Sequence, residues 1–312
     1  MNEISATIQS TGGFENACES KHHMLEVQGG PISVYEAGDP QKPKIIMLHG
    51  AMYDEARFSW DQMFPYLSNH YHVFAIDTPR HGKSRPWDGN LTHTRLVDIL
   101  HDGITQLGLD RFHLIGLSMG GALSIEYASR YPNSVRSMAL FEPGGLGDKV
   151  DWQFITWLYI KTPGMLRMLS KRYVKMDDAS INKLLHSIFV KGTSPTDPDR
   201  LASILKDEIR GKFQYGEKDM DDWQLNAIGP FRLTWNLLDK IPMIQCPTLW
   251  LRGADSVLVK QQEMERAVHL AKEGGSEATL KIIEKAGHLL PLEQPELANQ
   301  AVKRFLDDQG LM

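Results

Sequence analysis

The sequence predicts an α/β protein with a mostly parallel sheet flanked by helices, and three features lead to that prediction. Short apolar runs alternate with helical patterns over most of the chain. This alternation stops between residues 144 and 243, where only helical patterns occur. A serine separates one apolar run from the helical pattern that follows it, in Gly116-Leu117-Ser118-Met119-Gly120. Strands that alternate with helices need crossover connections, which make neighbouring strands parallel.

The individual elements follow from these patterns. Residues 24–28 and 32–36 form a predicted opening hairpin, because Gly29-Gly30-Pro31 between them is typical of a turn. Buried strands are predicted at residues 44–48, 73–76, 112–115, 135–141, 248–251 and 280–283. Helices of the layered part are predicted at residues 91–107, 119–130, 261–272 and 296–307.

The long stretch without strands predicts a helical insertion between two strands of the sheet. We expect a flexible leader at residues 1–22, a core from residues 23–143 and 244–312, and a helical cap at 144–243. Helices in the cap are predicted at residues 151–169, 178–189, 197–209 and 221–238. Because a small helical layer over a sheet edge encloses an apolar cleft, we expect the cap to contribute to a binding pocket.

Composition limits the possible partners and the compartment. The 312 residues carry a formal net charge of −5, which argues against binding to nucleic acid or to anionic membranes. No apolar run is long enough to span a membrane, and residues 1–20 do not resemble a secretory signal. Cys18 and Cys246 are the only cysteines, so free thiols in a reducing, cytoplasmic compartment are the expectation. The oligomeric state stays open.

Ser118 is the predicted nucleophile. A serine on a sharp strand-to-helix turn needs small neighbours, which explains the glycines on both sides of it. The turn lifts the hydroxyl clear of the sheet and places it at a helix N-terminus. This arrangement is suited to acyl transfer.

A serine nucleophile requires a base, and the base requires an acid to orient it. His288 is the predicted base, because it lies in a glycine-containing loop after the last predicted strand. Two carboxylates follow strands at the same predicted edge, Asp255 and Glu142, and the pattern alone leaves both open as the acid.

The oxyanion of an acyl-transfer intermediate needs backbone donors. The expected donors are the N–H groups of Met119, directly after the nucleophile, and Ala51, in the loop after the strand at residues 44–48. Five side chains are expected to contact the substrate: Met52, Glu142, Trp152, Trp157 and Leu289.

Together these motifs resemble the α/β-hydrolase superfamily, in its capped branch of esterases, lactonases and carbon–carbon bond hydrolases. The matching segments are His49-Gly50, residues 77–84, the turn at Ser118, Gly253-Ala254-Asp255 and Ala286-Gly287-His288. The resemblance implies an eight-stranded sheet with a helical cap. It also implies the chain order serine, aspartate, histidine, which favours Asp255 over Glu142 as the acid. Arg80 departs from the family, which often has glycine there.

Cofactor motifs are incomplete. Residues 77–84 end like a phosphate-binding loop, but Asp77 replaces the required first glycine. Residues 116–121 have Ser118 where a dinucleotide fingerprint has its central glycine. We therefore expect no cofactor and no metal.

The expected function is hydrolysis of a small, largely apolar carboxylic ester through an acyl-enzyme, with Ser118, Asp255 and His288 as the triad. Cleavage of a carbon–carbon bond or of a lactone by the same triad is the alternative. A ligand-binding protein on this fold is a third interpretation, from a different class.

Overall fold

The computed structural model describes Phe14 and residues 20–310. Eight strands form one sheet: β1 (Lys21–Val27), β2 (Gly30–Ala37), β3 (Lys44–Leu48), β4 (His72–Asp77), β5 (Phe112–Leu117), β6 (Val135–Phe141), β7 (Thr248–Gly253) and β8 (Ala278–Ile283). Their order across the sheet is β1-β2-β4-β3-β5-β6-β7-β8. Strands β1 and β2 pair antiparallel, as do β2 and β4, and all the other pairs are parallel. The predicted α/β fold with an eight-stranded, mostly parallel sheet is confirmed.

Helices cover both faces of the sheet. They are α1 (Ala56–Ser59), α2 (Met63–Ser68), α3 (His93–Gln106), α4 (Met119–Arg130), α10 (Gln261–Glu273), α11 (Leu290–Glu293) and α12 (Pro295–Gly310). Apolar side chains of α3, α4 and α10 pack on one face, and those of α1, α2, α11 and α12 pack on the other. The sheet is therefore buried on both sides, which explains why its central strands are apolar along their whole length.

Five helices lie between β6 and β7: α5 (Gln153–Lys161), α6 (Met165–Tyr173), α7 (Asp178–Ser187), α8 (Pro198–Gln214) and α9 (Asp222–Ala227). The single helix predicted at 151–169 is wrong, because Pro163 and Gly164, at φ 80°, separate α5 from α6. The helix predicted at 221–238 ends at Ala227, shortly before Gly229-Pro230. Helices α7 and α8 share an apolar cluster with Phe58 and Leu292 of the layered part.

The predicted leader, residues 1–22, lies mostly outside the described residues. Within it, Phe14 is buried and stacks on Phe64, with ring centroids 4.2 Å apart. Residues 21 and 22 already belong to β1, so the prediction was wrong at those positions and at Phe14. Cys18 is outside the described part, and Cys246 is a buried free thiol.

The carboxyl ends of the parallel strands meet at one edge of the sheet. Leu117 of β5 is in register with Phe141 of β6, and Phe141 is in register with Leu251 of β7. The residues directly after β5 and β6, Ser118 and Glu142, therefore lie on neighbouring strand ends. Polar side chains at this edge are well placed to form a common site.

Candidate active site

Ser118 lies on a strained turn between β5 and α4. Its backbone has φ 52° and ψ −110°, which side-chain-bearing residues rarely adopt. The turn is tight enough to require its glycines: a Cβ on Gly116 would lie 2.5 Å from the Gly120 carbonyl oxygen, and one on Gly120 would lie 2.0 Å from that of Leu48. The Ser118 amide donates to the Phe141 carbonyl at 2.9 Å. Its hydroxyl, which is half-buried, forms no hydrogen bond with any described residue.

His288 is oriented by Glu142. The His288 Nδ1 lies 2.8 Å from Glu142 Oε2, and the Glu142 side chain is 0% exposed. Two more donors reach the same carboxylate: the Gly253 amide to Oε1 at 2.9 Å and the Ser256 hydroxyl to Oε2 at 2.5 Å. A carboxylate accepts hydrogen bonds, so Nδ1 is the ring nitrogen that donates to Glu142, and in the neutral imidazole the lone pair is then on Nε2.

Asp255 does not contact His288, contrary to the sequence prediction. Its side chain is exposed, and its amide donates to the Ala286 carbonyl at 2.9 Å. The carboxylate forms no hydrogen bond or ion pair with a described residue. The last residue of β7, Gly253, and Ser256 in the loop after it instead supply donors to Glu142. Glu142 was expected to line the pocket, but it is fully buried behind His288.

Glu293 fixes the loop that carries His288, and no pattern in the sequence indicated this role. Its Oε2 accepts from the Gly287 amide at 2.5 Å, and its Oε1 accepts from the Val190 amide at 2.6 Å. Burial raises the pKa of Glu293, although both of these amides favour its ionised form. This carboxylate links the insertion to the residue directly before His288.

Ala51 lies between two residues whose backbone amides donate hydrogen bonds to side-chain carboxylates. The Gly50 amide donates to Asp54 at 2.7 Å, and the Met52 amide donates to Asp221, in the insertion, at 2.5 Å. Burial raises the pKa of Asp54 to about 6. The Ala51 amide and the Met119 amide donate to no acceptor in the described part of the chain. The two predicted oxyanion donors are therefore both available.

Asp221 is the centre of a charged cluster that sequence reasoning missed, and its partners Lys212 and His81 are buried. Besides the Met52 amide, it accepts from Lys212 Nζ at 2.5 Å and lies 3.1 Å from His81 Nε2. Burial alone would raise the pKa of Asp221, but Lys212 and His81 hold it far below its ordinary value. Met52 has φ 68°, a conformation that needs such support in a residue other than glycine. No local motif marks a contact across 169 positions of sequence.

Two cavities meet at Ser118 and His288. One, of about 370 Å³, is lined by apolar residues that include the predicted Met52 and Leu289. The other, of about 200 Å³, is lined by Trp223 and Trp235. Gln224 and Leu258 line both cavities.

Two of the residues predicted to contact the substrate lie outside these cavities. Trp152 is 79% exposed, and neither it nor Trp157 lines either cavity. The cavity of about 200 Å³ is lined instead by Trp223 and Trp235, which pack edge to face with ring centroids 5.3 Å apart. The Trp223 indole donates to His93 of α3 at 2.8 Å, which fixes it against the layered part.

The profile of the alpha/beta hydrolase fold family matches residues 43–295. The chain belongs to this family. It is similar to the "Uncharacterized carboxylesterase nap" of Bacillus subtilis, with 26% identity over 92% of this chain and 87% of the relative. It is also similar to the carboxylesterase YbfK of that organism, with 26% identity over 92% of this chain and 88% of the relative.

Solved structures share the fold. The crystal structure of carboxylesterase CesB (YbfK) from Bacillus subtilis has a TM-score of 0.70 and 22% identity, and the match covers 92% of each chain. The crystal structure of a mutant of the meta-cleavage product hydrolase CumD has a TM-score of 0.68 and 22% identity, with 92% of this chain and 98% of that chain covered. Membership of the family and the carboxylesterase relatives make this chain a hydrolase. Within the described residues, no helix has the length and apolar character to cross a membrane.

Proposed function

We propose that the protein is a serine hydrolase of carboxylic esters in which Ser118 is the nucleophile, His288 the base and Glu142 the acid. The observation that carries this proposal is the 2.8 Å contact of a fully buried Glu142 with His288, beside a serine on a strained strand-to-helix turn. The carboxylesterase relatives support the ester as the bond that is cleaved.

The reaction follows from the tautomer of His288 that the contact with Glu142 favours. The His288 Nε2 takes the Ser118 proton as Oγ attacks the ester carbonyl carbon, and the resulting imidazolium is stabilised by Glu142. Collapse of the tetrahedral intermediate transfers this proton to the leaving alcohol and leaves an acyl group on Ser118. Water, activated by His288, then attacks the acyl carbon and releases the acid.

The oxyanion of both intermediates is bound by the amides of Ala51 and Met119. Both amides are free of acceptors in the described part of the chain, and Met119 begins helix α4, whose dipole adds to the stabilisation. The bond from Met52 to Asp221 keeps the neighbouring Ala51 amide in place, so the insertion takes part in forming the site.

We further propose that residues 144–243 act as a cap that selects the substrate. Its α9 supplies Trp223 and Gln224 to the cavities beside Ser118. Because mainly apolar cavities of about 370 Å³ and 200 Å³ meet at the nucleophile, the preferred ester has apolar groups on both its acyl and its alcohol side.

The test is turnover of p-nitrophenyl esters by the wild-type protein and by Ser118→Ala. We expect the variant to lose at least about a thousandfold in kcat while its thermal unfolding is unchanged, since only a half-buried hydroxyl is removed. A lactone and a carbon–carbon substrate with an adjacent ketone are assayed in parallel. Wild-type turnover of either in preference to every ester would replace the ester by that bond, and full activity of Ser118→Ala would overturn the site.

A further inference from the structure

The outer surface of helix α5 is unusually apolar. Ile155 is 58% exposed, and Phe154 and Leu158 are also exposed on the same side of the helix. Trp152, directly before the helix, is 79% exposed. Phe231, 72% exposed, stacks on Phe154 with ring centroids 6.0 Å apart. We call these five residues the cap patch. Large aromatic and aliphatic side chains in such a cluster mark an interaction surface.

The segment that contains most of the cap patch is strongly cationic. Residues 152–176 include no aspartate or glutamate, whereas the whole chain has a net charge of −5. The five basic residues of this segment are all exposed, and none forms a salt bridge with a described residue: Lys161, Arg167, Lys171, Arg172 and Lys175. The prediction from net charge, that the chain avoids anionic membranes, therefore overlooks a local reversal of charge.

We infer that α5 and α6 dock on the surface of an anionic lipid layer. Helices that lie in a membrane interface have a typical composition. They expose Trp, Phe, Ile and Leu beside Lys and Arg that have no acidic partners. The apolar side chains enter the boundary between headgroups and acyl chains, and the cations bind the lipid phosphates and carboxylates. This binding is peripheral and needs no membrane-spanning helix.

A second copy of the chain fits this surface less well. In a two-fold symmetric dimer the same patch faces itself, so the five cations of each copy would be brought together. Negative charge is what complements the segment, and a lipid surface supplies it together with an apolar layer.

Both helices also line a third cavity, and α6 reaches one of the two beside Ser118. Ile160 of α5 and Leu166 of α6 line a cavity of about 660 Å³, and Tyr173 of α6 lines the 370 Å³ cavity beside Ser118. Docking would thus bring the lipid layer close to the walls of the candidate active site. Resting on the proposed function, this favours esters dissolved in a lipid layer as substrates.

The experiment is co-sedimentation of the full chain with phosphatidylcholine vesicles, with and without phosphatidylserine. We expect binding only to the vesicles that contain phosphatidylserine. Binding is lost at about 1 M NaCl, where the Debye length falls to about 3 Å. Ile155→Ser/Leu158→Ser and Lys171→Glu/Arg172→Glu each reduce the bound fraction at least about fivefold. The matched controls Leu297→Ser and Lys272→Glu, exposed elsewhere, bind like wild type.

Other outcomes overturn the proposal. These are absence of binding to the anionic vesicles, equal binding by all variants, or a dimer in size-exclusion chromatography that the cap-patch variants convert to monomer. Hydrolysis of a water-soluble short-chain ester is measured on the same samples. The substitutions in these variants do not involve Ser118, His288 or Glu142. The rate of ester hydrolysis therefore stays at the wild-type value in the variants, even if the lipid proposal fails. If the wild-type protein hydrolysed this ester no faster than Ser118→Ala does, the result would instead count against the proposed function.

Discussion

The loops after β6 and β7 both carry a carboxylate at the same edge of the sheet, and the structure uses them differently. Glu142 follows β6 directly, is 0% exposed and accepts hydrogen bonds from His288, Gly253 and Ser256. Asp255, two residues past β7, faces solvent. The end of β7 and the loop after it contribute an amide and a hydroxyl that hold Glu142, whereas the carboxylate of Asp255 in that loop contacts neither His288 nor Glu142. By residue type and position along the chain, either carboxylate could orient His288. Burial and hydrogen bonding distinguish the two.

The largest expected effect comes from replacing Glu142 by glutamine, and the same exchange at Asp255 is its control. Glu142→Gln should lower kcat by about a thousandfold or more with little change in KM, because the amide disturbs the tautomer and charge of His288 and not substrate binding. Asp255→Asn, the matched control, should change kcat by less than about twofold, since exposed side chains without partners contribute little. Steady-state kinetics on a soluble ester measure both. A nearly silent Glu142→Gln beside a severely impaired Asp255→Asn would reverse the assignment.

A second pair of neighbouring carboxylates extends the comparison to the cap. Asp221 holds the Met52 amide of the oxyanion loop, whereas Asp222 binds Arg80 and the Leu91 amide, away from that loop. Asp221→Asn should lower kcat on the order of tenfold, with KM nearly unchanged, because moving an oxyanion donor costs less than the roughly hundredfold or more of removing one.

The control for this prediction is Asp222→Asn, which breaks a cap contact of similar kind. It should leave kcat within about twofold even if its melting temperature falls. Affinity for a trifluoromethyl ketone, which forms an oxyanion at the serine, should weaken in parallel with kcat in Asp221→Asn alone. If Asp221→Asn and Asp222→Asn lost kcat equally, Asp221 would only stabilise the cap and would not position the oxyanion donor.

The smallest expected effect concerns two pairs of tryptophans in the cap. Trp223→Ala and Trp235→Ala enlarge the 200 Å³ cavity, and Trp223 also lines the cavity of about 660 Å³. Their kcat/KM profiles over a homologous ester series should shift toward longer chains by about fivefold, the lower range of discrimination in apolar pockets. Trp152→Ala and Trp157→Ala should keep the wild-type profile. Identical profiles for all four variants would exclude Trp223 and Trp235 from the pocket.

The layered part of the fold could be predicted well because its signals are local. Apolar runs of five to seven residues, such as Lys44–Leu48 and Val135–Phe141, became strands, and the glycines around Ser118 indicated a turn that only they allow. The prediction that His288 is the base rested on its place after β8. Periodicity and turn chemistry depend on neighbouring residues, so the sequence shows them directly.

The features that were wrong or missed depend on contacts between distant segments. The bond from Asp221 to Met52 joins residues 169 positions apart, and no pattern near either residue indicates it. The choice of Glu142 over Asp255 depends on which carboxylate is buried against His288. Trp152 and Trp223 both lie in predicted helical segments of the insertion, and the sequence does not distinguish them. In the structure Trp152 is exposed, whereas Trp223 donates a hydrogen bond to His93. Tertiary packing determines such differences.

The central claim, that Ser118 is activated through His288 by Glu142, is tested most directly by the rate and position of labelling with a fluorophosphonate. The serine displaces fluoride from phosphorus, and mass spectrometry locates the modified residue. We predict a single label on Ser118 in the wild-type protein and the same rate in Asp255→Asn. We also predict labelling slower by on the order of a hundredfold in Glu142→Gln and none in Ser118→Ala. A label on another residue, or fast labelling of Glu142→Gln with slow labelling of Asp255→Asn, would contradict the account.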